Sequence, residues 1–448
     1  MKNDMVISTK EKLAFASGDF ASSLSWQTTM MFLAFYFTDV YGVSAAMVGT
    51  IFLISRFVDA FSDPFIGYMA DKTDTRWGKY RPYILFMAIP FGLISYIPYS
   101  APAFADNYKE IFALISYIIL IIGYTAINIP YCSMANVITN DNDSRVSMQG
   151  YRFALTALGG LIVATTVAPL ADYLGGDDVV TGYRGAMLVM GGAATICFIY
   201  CFLGVKERVK PIDNGNQNIR KGLKSVLKNK PLMVLCLTML CTNIMGAVKF
   251  GGAMYYLKYY LDAEAMSAYF LGAIMLGGIF GALSANKISQ YIEKSKMYAL
   301  CCSLQAVACI SVVVWPSDSF MLFLFSQFMF GYFFQMMLIP QFSLISDYVD
   351  EYEKSSGQRY DGLSVSTCLF VLKAGGALGG ALMGWILAWG GYSGTGENDQ
   401  RAIDTIANLY AWYPTIVLMV VALIAFFFLP RTDKSKLTII NTETQPSV

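Results

Sequence analysis

The chain has 448 residues, 56% of them hydrophobic and only 14% charged, with a mean hydropathy of +0.50. That balance is too apolar for an ordinary water-soluble domain and marks a polytopic membrane protein. A formal net charge of +1 offers no basic surplus with which to neutralise phosphates, so nucleic acid is not an expected partner.

Runs of roughly 20 apolar residues, the length that crosses a bilayer, begin near residues 20, 44, 83, 111, 149, 184, 232, 266, 296, 319, 361 and 405. These twelve runs predict an all-α membrane protein. The first carries Lys10 and Lys12 ahead of it and contains Trp26 and Gln27, but no small-residue cleavage site follows, so it reads as an uncleaved helix. All nine cysteines fall inside apolar runs, where they act as small hydrophobes, and no disulfide framework is expected. Histidine is absent, which removes the commonest metal ligand and the usual proton shuttle; any proton chemistry must use carboxylates.

Orientation follows from the basic residues. With both termini cytoplasmic, most of the 32 Lys and Arg fall at the termini and in inner loops, and only Lys109, Arg184 and Arg401 in outer ones. The longest inner connection, from Lys206 to Pro231, is basic and polar and divides the spans six and six. The expected organisation is an N-terminal bundle over 1–205, a linker over 206–231, a C-terminal bundle over 232–430 and a cytoplasmic tail over 431–448. That is the plan of a major facilitator, in which a central site lies between two bundles.

The second span holds the most informative residues. Asp59 and Asp63 lie one helical turn apart, behind Arg56, in an otherwise apolar run. Side chains at i and i+4 project from one face about 5–6 Å apart. Two carboxylates that close in a low-dielectric site cannot both stay ionised without a counter-charge, so a proton is shared or a cation binds between them. Arg56 is placed to partner the empty site. The plainer alternative, a buried ion network that only locks helices, leaves two acids facing one arginine and a surplus charge in the membrane.

Several stretches resemble one family. The loop after the second span, GYMADKTDTRWGKYRP, resembles the Gly, Asp, Arg, Gly, Arg loop of major facilitators. Its flanks RFVDAFSDP and KYRPYIL, together with FYFTDVYGVS, YTAINIPYCSM, YRFALTALGG and DYVDEYEKSSGQRYDG, are similar to the glycoside-pentoside-hexuronide:cation symporters typified by melibiose permease. The resemblance spans nearly the whole chain and implies two six-helix bundles, inward carriage of a sugar with H+ or Na+, and no organic cofactor. Partners would be the sugar or uronide, a monovalent cation and the lipid bilayer, with a monomer in the bacterial inner membrane.

The resemblance also assigns residues. Asp59 and Asp63 match the family's cation-binding acids, helped by Thr125 and by Asn128, where melibiose permease has a third aspartate; the loss of that charge weakens the case for Na+. Arg152 matches a substrate-binding arginine, Asn128 a substrate-binding position next to the cation, and Lys373 a cavity lysine. Trp26, Tyr124, Tyr131 and Asn243 are further candidates, because sugars need directional hydrogen bonds beside flat apolar faces. The Lys-Asp pair that the permease carries on its first helix is read here as replaced by Ser22 and Ser23. Lys249 lies in mid-span, where an ammonium suits an anionic sugar, pairing with an acid, or support of sugar hydroxyls.

Asp71, Arg76, Lys79 and Arg81 in the first half, and Asp347, Asp350 and Arg359 in the second, are expected to form loop-to-helix salt bridges that latch one conformation, while Arg56 gates the cation site. Where the family often has Tyr-Gly-Glu-Trp, this chain has Glu351, Tyr352, Glu353 and Lys354, which departs from that latch. Gly375, Gly376, Gly379, Gly380 and Gly384 suit close helix packing; a phosphate cradle would need a strand and a following Lys-Ser/Thr. No nucleophile with a base and no metal cluster is visible, so an enzyme is not expected. An uncoupled facilitator or exporter of a sugar or sugar acid is the alternative.

Overall fold

The computed structural model describes residues 7–139, 141–209, 225–316, 319–356, 361–394 and 398–430. Apart from short turns they are helical. α1 (Thr9–Thr28) begins at Ser8, whose Oγ accepts the Glu11 amide at 3.3 Å, and passes through π turns at Thr29–Leu33 and Tyr36–Val40. α2 (Ala45–Lys72) is capped by Ser44, and α3 (Arg81–Tyr96) has Pro82 in its first turn, where a missing amide costs nothing. α4 (Lys109–Ile138), α5 (Asn142–Gly175) and α6 (Val179–Gly204) follow. Asp141 and Asp178 cap the last two, and the hydrogen bonds each accepts, from Ser144 and Thr181, hold both carboxyls below the usual range.

α7 (Lys230–Tyr255) ends in the π turn Tyr256–Tyr260, and α8 (Ser267–Ser289), α9 (Lys294–Val314), α10 (Phe320–Ser356) and α11 (Asp361–Trp389) come next. α12 runs as Gln400–Ala407, a π turn at Asn408–Trp412, and Tyr413–Phe428. Eleven described helical spans are long and apolar enough to cross a membrane. The remaining sequence-predicted span is α1, which starts earlier than its apolar run and carries Lys10, Glu11, Lys12 and Asp19.

The two halves of the chain repeat a detail. Tyr41 N donates to Tyr36 O at 2.8 Å and Val43 N to Phe37 O at 2.7 Å; Leu261 N donates to Tyr256 O at 3.1 Å and Ala263 N to Leu257 O at 2.9 Å. The first helix of each half thus ends in the same π-type closure.

The chain forms two compact units. The first comprises Met1–Asn214, Ala247–Met275 and Ala377–Tyr410. In it α1 packs on α5 and α6, α3 on α4 and α6, and α2 on α4. Glycine permits the closest approaches: a Cβ on Gly92 would lie 2.7 Å from Gly191 O, and one on Gly384 2.6 Å from Gly49 N. On α2, Phe57, Phe61 and Phe65 repeat every fourth residue and stay exposed, an apolar stripe of the kind lipid requires. The second unit comprises Gly215–Gly246, Leu276–Gly376 and Ala411–Val448. There α9 packs on α10 and α12 around Leu235, Met239, Tyr298, Cys302, Met337 and Leu344.

Candidate functional site

The α2 acids turn away from the phenylalanine stripe. Asp59 is 7% exposed, and its carboxylate is held from two sides: Arg56 Nη1 lies 2.8 Å from Oδ2, and Thr125 of α4 donates to Oδ1 at 3.2 Å. Asp63 is half-buried one turn further on. Pro64 follows it inside the helix. Lacking an amide, Pro64 cannot make the helical bond to the carbonyl of Ala60, which loosens α2 one turn below Asp59. Carboxylates and a hydroxyl are hard oxygen donors, the type that suits a proton or a small alkali cation.

Three residues beyond Thr125, Asn128 lies on the same side of α4. Its Nδ2 donates to Ser22 Oγ and to Tyr124 OH, both at 3.3 Å, and its Oδ1 accepts from Cys132 Sγ at 3.4 Å. Tyr124 also meets Trp26, ring centroids 5.1 Å apart. Trp26, Tyr124 and Asn128 therefore form one cluster of two aromatic faces and an amide.

Arg152 of α5 has a partner that sequence reasoning missed. Its Nε lies 2.9 Å from Oδ2 of Asp19 on α1, which also accepts from Thr156 Oγ1 at 2.6 Å. Asp19, Ser22, Ser23 and Trp26 recur at spacings of three and four on one α1 face, so the first helix carries an acid beside the two serines expected there. The available signal was an uncompensated aspartate inside the run SGDFASS. The remaining guanidinium nitrogens are also engaged, Nη1 with Gln149 Oε1 at 3.3 Å and Nη2 with Cys132 Sγ at 3.7 Å. Tyr131 is fully buried, stacks on Phe15 and donates to Phe15 O at 2.8 Å, with its ring 5.6 Å from the Arg152 guanidinium. It props the arginine.

A sequence profile described as MFS/sugar transport protein matches residues 14–433. The chain belongs to this family. It is similar to the inner membrane symporter YicJ of Escherichia coli, with 34% identity over 99% of this chain and 96% of that protein. It is similar also to the putative glycoside/cation symporter YagG of the same organism, 34% identical over 92% and 90% of the two chains. Among solved structures, a bacterial homologue of the human lysosomal transporter Spinster superposes with a TM-score of 0.67 at 14% identity, covering 98% of this chain and 100% of that one. The major facilitator fold expected from the motifs is the fold observed.

The other sequence candidates of this family member divide between the units. Lys249 is wholly buried in the first; its Nζ donates to Tyr410 O at 3.2 Å and lies 3.5 Å from the centre of the Tyr410 ring. Asn243 and Lys373 belong to the second unit. Asn243 Nδ2 donates to Met239 O at 2.9 Å, and Lys373 is exposed on α11.

Of the latch residues, Arg81 donates to Phe202 O at 2.7 Å and Trp77 O at 3.2 Å, and Arg76 lies over the Trp77 ring at 4.3 Å. The acid that ties this loop down is one that sequence reasoning passed over. Glu207, just after α6, accepts the amides of Lys79, Tyr80 and Arg81 at 2.7, 2.8 and 2.9 Å, a carboxylate at the positive end of α3. Gly78, at φ +110°, makes room for it. Glu207→Ala strands three amides, and we expect a loss of about 3 kcal/mol, read as a lower thermal midpoint in detergent; an unchanged midpoint would show that the cradle holds nothing. In the second unit Asp347 pairs with Lys294 at 2.6 Å, joining α10 to α9, and Asp350 follows one turn later on α10. Arg359 and the side chain of Asp71 lie outside the described residues.

Proposed function

We propose that this protein is a secondary symporter of the bacterial inner membrane that carries a neutral glycoside inward with H+ or Na+, with both termini cytoplasmic and the two six-helix bundles rocking about a central site. The observation that carries this reading is a continuous chain of contacts in the first unit. α4 gives Thr125 to Asp59, Asn128 to Ser22 and Tyr124, and Cys132 to Arg152, so one helix touches both the acid pair and the Asp19–Arg152 pair. The names of the relatives, a symporter and a glycoside/cation symporter, point the same way.

In mechanism, the empty carrier keeps Asp59 on Arg56. A proton or Na+ reaching Asp59, Asp63 and Thr125 supplies the missing positive charge and frees the arginine. Asn128 then settles toward the sugar, whose hydroxyls accept from Arg152 and donate to Asp19 while a ring face lies on Trp26. Because the coupling is a free energy between two sites, the cation tightens sugar binding by the factor by which sugar tightens cation binding. The fully loaded and fully empty carriers rearrange, and the half-loaded ones, with charge uncompensated, do not.

A neutral substrate fits better than a uronide. The Arg152 charge is already matched by Asp19 at 2.9 Å, so a carboxylate would meet a compensated guanidinium beside an aspartate while a hydroxyl can still accept from its remaining N–H groups, and the Lys249 ammonium rests on the Tyr410 carbonyl and ring. Lys249→Met should therefore leave glycoside affinity within about threefold, the effect of well under 1 kcal/mol, while lowering thermal stability. A loss of affinity beyond tenfold would put the lysine on the substrate.

The deciding experiment pairs a thermal-shift screen of neutral glycosides and uronides, each with and without Na+ at two pH values, with ion flux in proteoliposomes. A ligand stabilises the state it binds, so the screen reads sugar and cation together. A stabilising glycoside whose downhill movement drives H+ or Na+ with it supports symport; sugar movement without either ion makes the protein a facilitator.

A further inference from the structure

The richest polar cluster away from the site surrounds Asp39, in the π turn that ends α1. Its carboxylate side chain is 0% exposed and accepts from four donors: Thr38 Oγ1 at 2.7 Å, Lys258 Nζ at 3.3 Å, Tyr259 OH at 2.5 Å and Tyr392 OH at 2.5 Å. Lys258 and Tyr259 come from the matching π turn that ends α7, and Tyr392 from the segment after α11. Around this core Thr38 and Tyr255 share a hydroxyl contact of 2.9 Å, Tyr259 OH reaches Gly394 O at 3.4 Å, and the Tyr392 ring meets Tyr255 and Tyr259 edge-on at 5.4 and 5.5 Å.

We propose that Asp39 is the latch that closes the outer end of the carrier, and that its release from Lys258, Tyr259 and Tyr392 is an obligatory step when that end opens. The inference rests on the proposed symport reading, in which α1 moves against α7 and α11; Thr38, Asp39, Lys258, Tyr259 and Tyr392 here fall in one compact unit, the closed arrangement that opening has to break.

Three features make this cluster a latch. A carboxylate without water is tolerable only when several donors replace its hydration, and here three of the four come from the other half of the chain. Separating the halves at this end strips those donors at once, and water must replace them, so the contact is either whole or lost. Burial first, then the neighbouring Tyr255 and Asp39, push the Tyr392 phenol above its ordinary value, which keeps it a donor. Finally, Asp39 and the site residue Asp19 share α1, about 30 Å apart along the axis at 1.5 Å per residue, so a shift of that helix is felt at both places.

Cys132 is a native reporter, because its thiol lies between Asn128 and Arg152 in the site. The test uses protein in which the other eight cysteines are replaced, in intact cells, with a membrane-impermeant maleimide added outside. We expect slow labelling of the parent and labelling about tenfold faster in Asp39→Asn, the change a 1.4 kcal/mol population shift produces. Tyr392→Phe, which removes one donor, should give a smaller rise. The exchange of Asp39→Lys with Lys258→Asp should return the rate toward the parent's.

A folded Asp39→Asn, or Tyr392→Phe should Asp39→Asn not fold, that labels at the parent's rate overturns the latch, as does a parent that labels as fast as the variants. Labelling needs no sugar or ion. Variants that label faster while no sugar moves an ion in proteoliposomes sink symport and leave the latch standing; coupled flux with unchanged labelling does the reverse.

Discussion

Asp59→Asn and Asp63→Asn should each abolish accumulation of the sugar against its gradient, since the coupling free energy, about 1–3 kcal/mol or roughly 5–150-fold, is lost with the charge. Downhill exchange should survive. The reason is electrostatic: an asparagine mimics the neutralised acid, so the carrier rearranges without its ion, and the ion gradient no longer does work on the sugar. Asp59→Asn also removes the charge that Arg56 meets at 2.8 Å, so it should destabilise the empty carrier. Counterflow of labelled sugar, compared with uptake driven by an imposed ion gradient, separates the two activities. Normal uphill uptake by both variants would remove the acid pair from coupling altogether.

The second large effect is expected at the Asp19–Arg152 pair. Breaking a buried pair by deleting one member costs about 3–5 kcal/mol, because the survivor is left charged and unpaired. Arg152→Ala and Asp19→Ala should thus lower thermal stability and abolish sugar binding, whereas Asp19→Asn with Arg152→Gln removes both charges and should recover much of the stability. Sugar affinity should stay at least about 100-fold down in that double variant, since neutral amides replace the charge-assisted bonds. Titration calorimetry against the glycoside found in the screen reads the second quantity and thermal unfolding the first. Recovery of sugar affinity along with stability would reduce the pair to a structural tie.

The two units show how far local patterning reaches. Asp59, Asp63 and Arg56 were legible because they share one helix: their spacing is local, and a charge in an apolar run needs no alignment to be noticed. Thr125 and Asn128 were legible by family resemblance, and the structure brings both into the same unit as the acid pair. Asp19 was passed over although it too stands in an apolar run. Its meaning depends on Arg152, 133 residues away, and nothing in either segment names the other. Glu207 reads as one more charge after a helix; only its approach to three amides of the α3 start makes it a cap. Lys249 and Tyr131 were expected to line the cavity from residue type alone; that the one donates to Tyr410 O and the other to Phe15 O is a tertiary contact no local pattern carries.

Helix count, apolar lengths and family followed from the sequence alone, because crossing a bilayer is a property of a continuous run and each run can be judged by itself. Tertiary structure decided the partners: Asp19 with Arg152, Glu207 with the amides of α3, and Asp39 with Lys258, Tyr259 and Tyr392. Each is a contact between helices far apart in the chain, and its free energy depends on burial and on donors that arrive only when the helices pack.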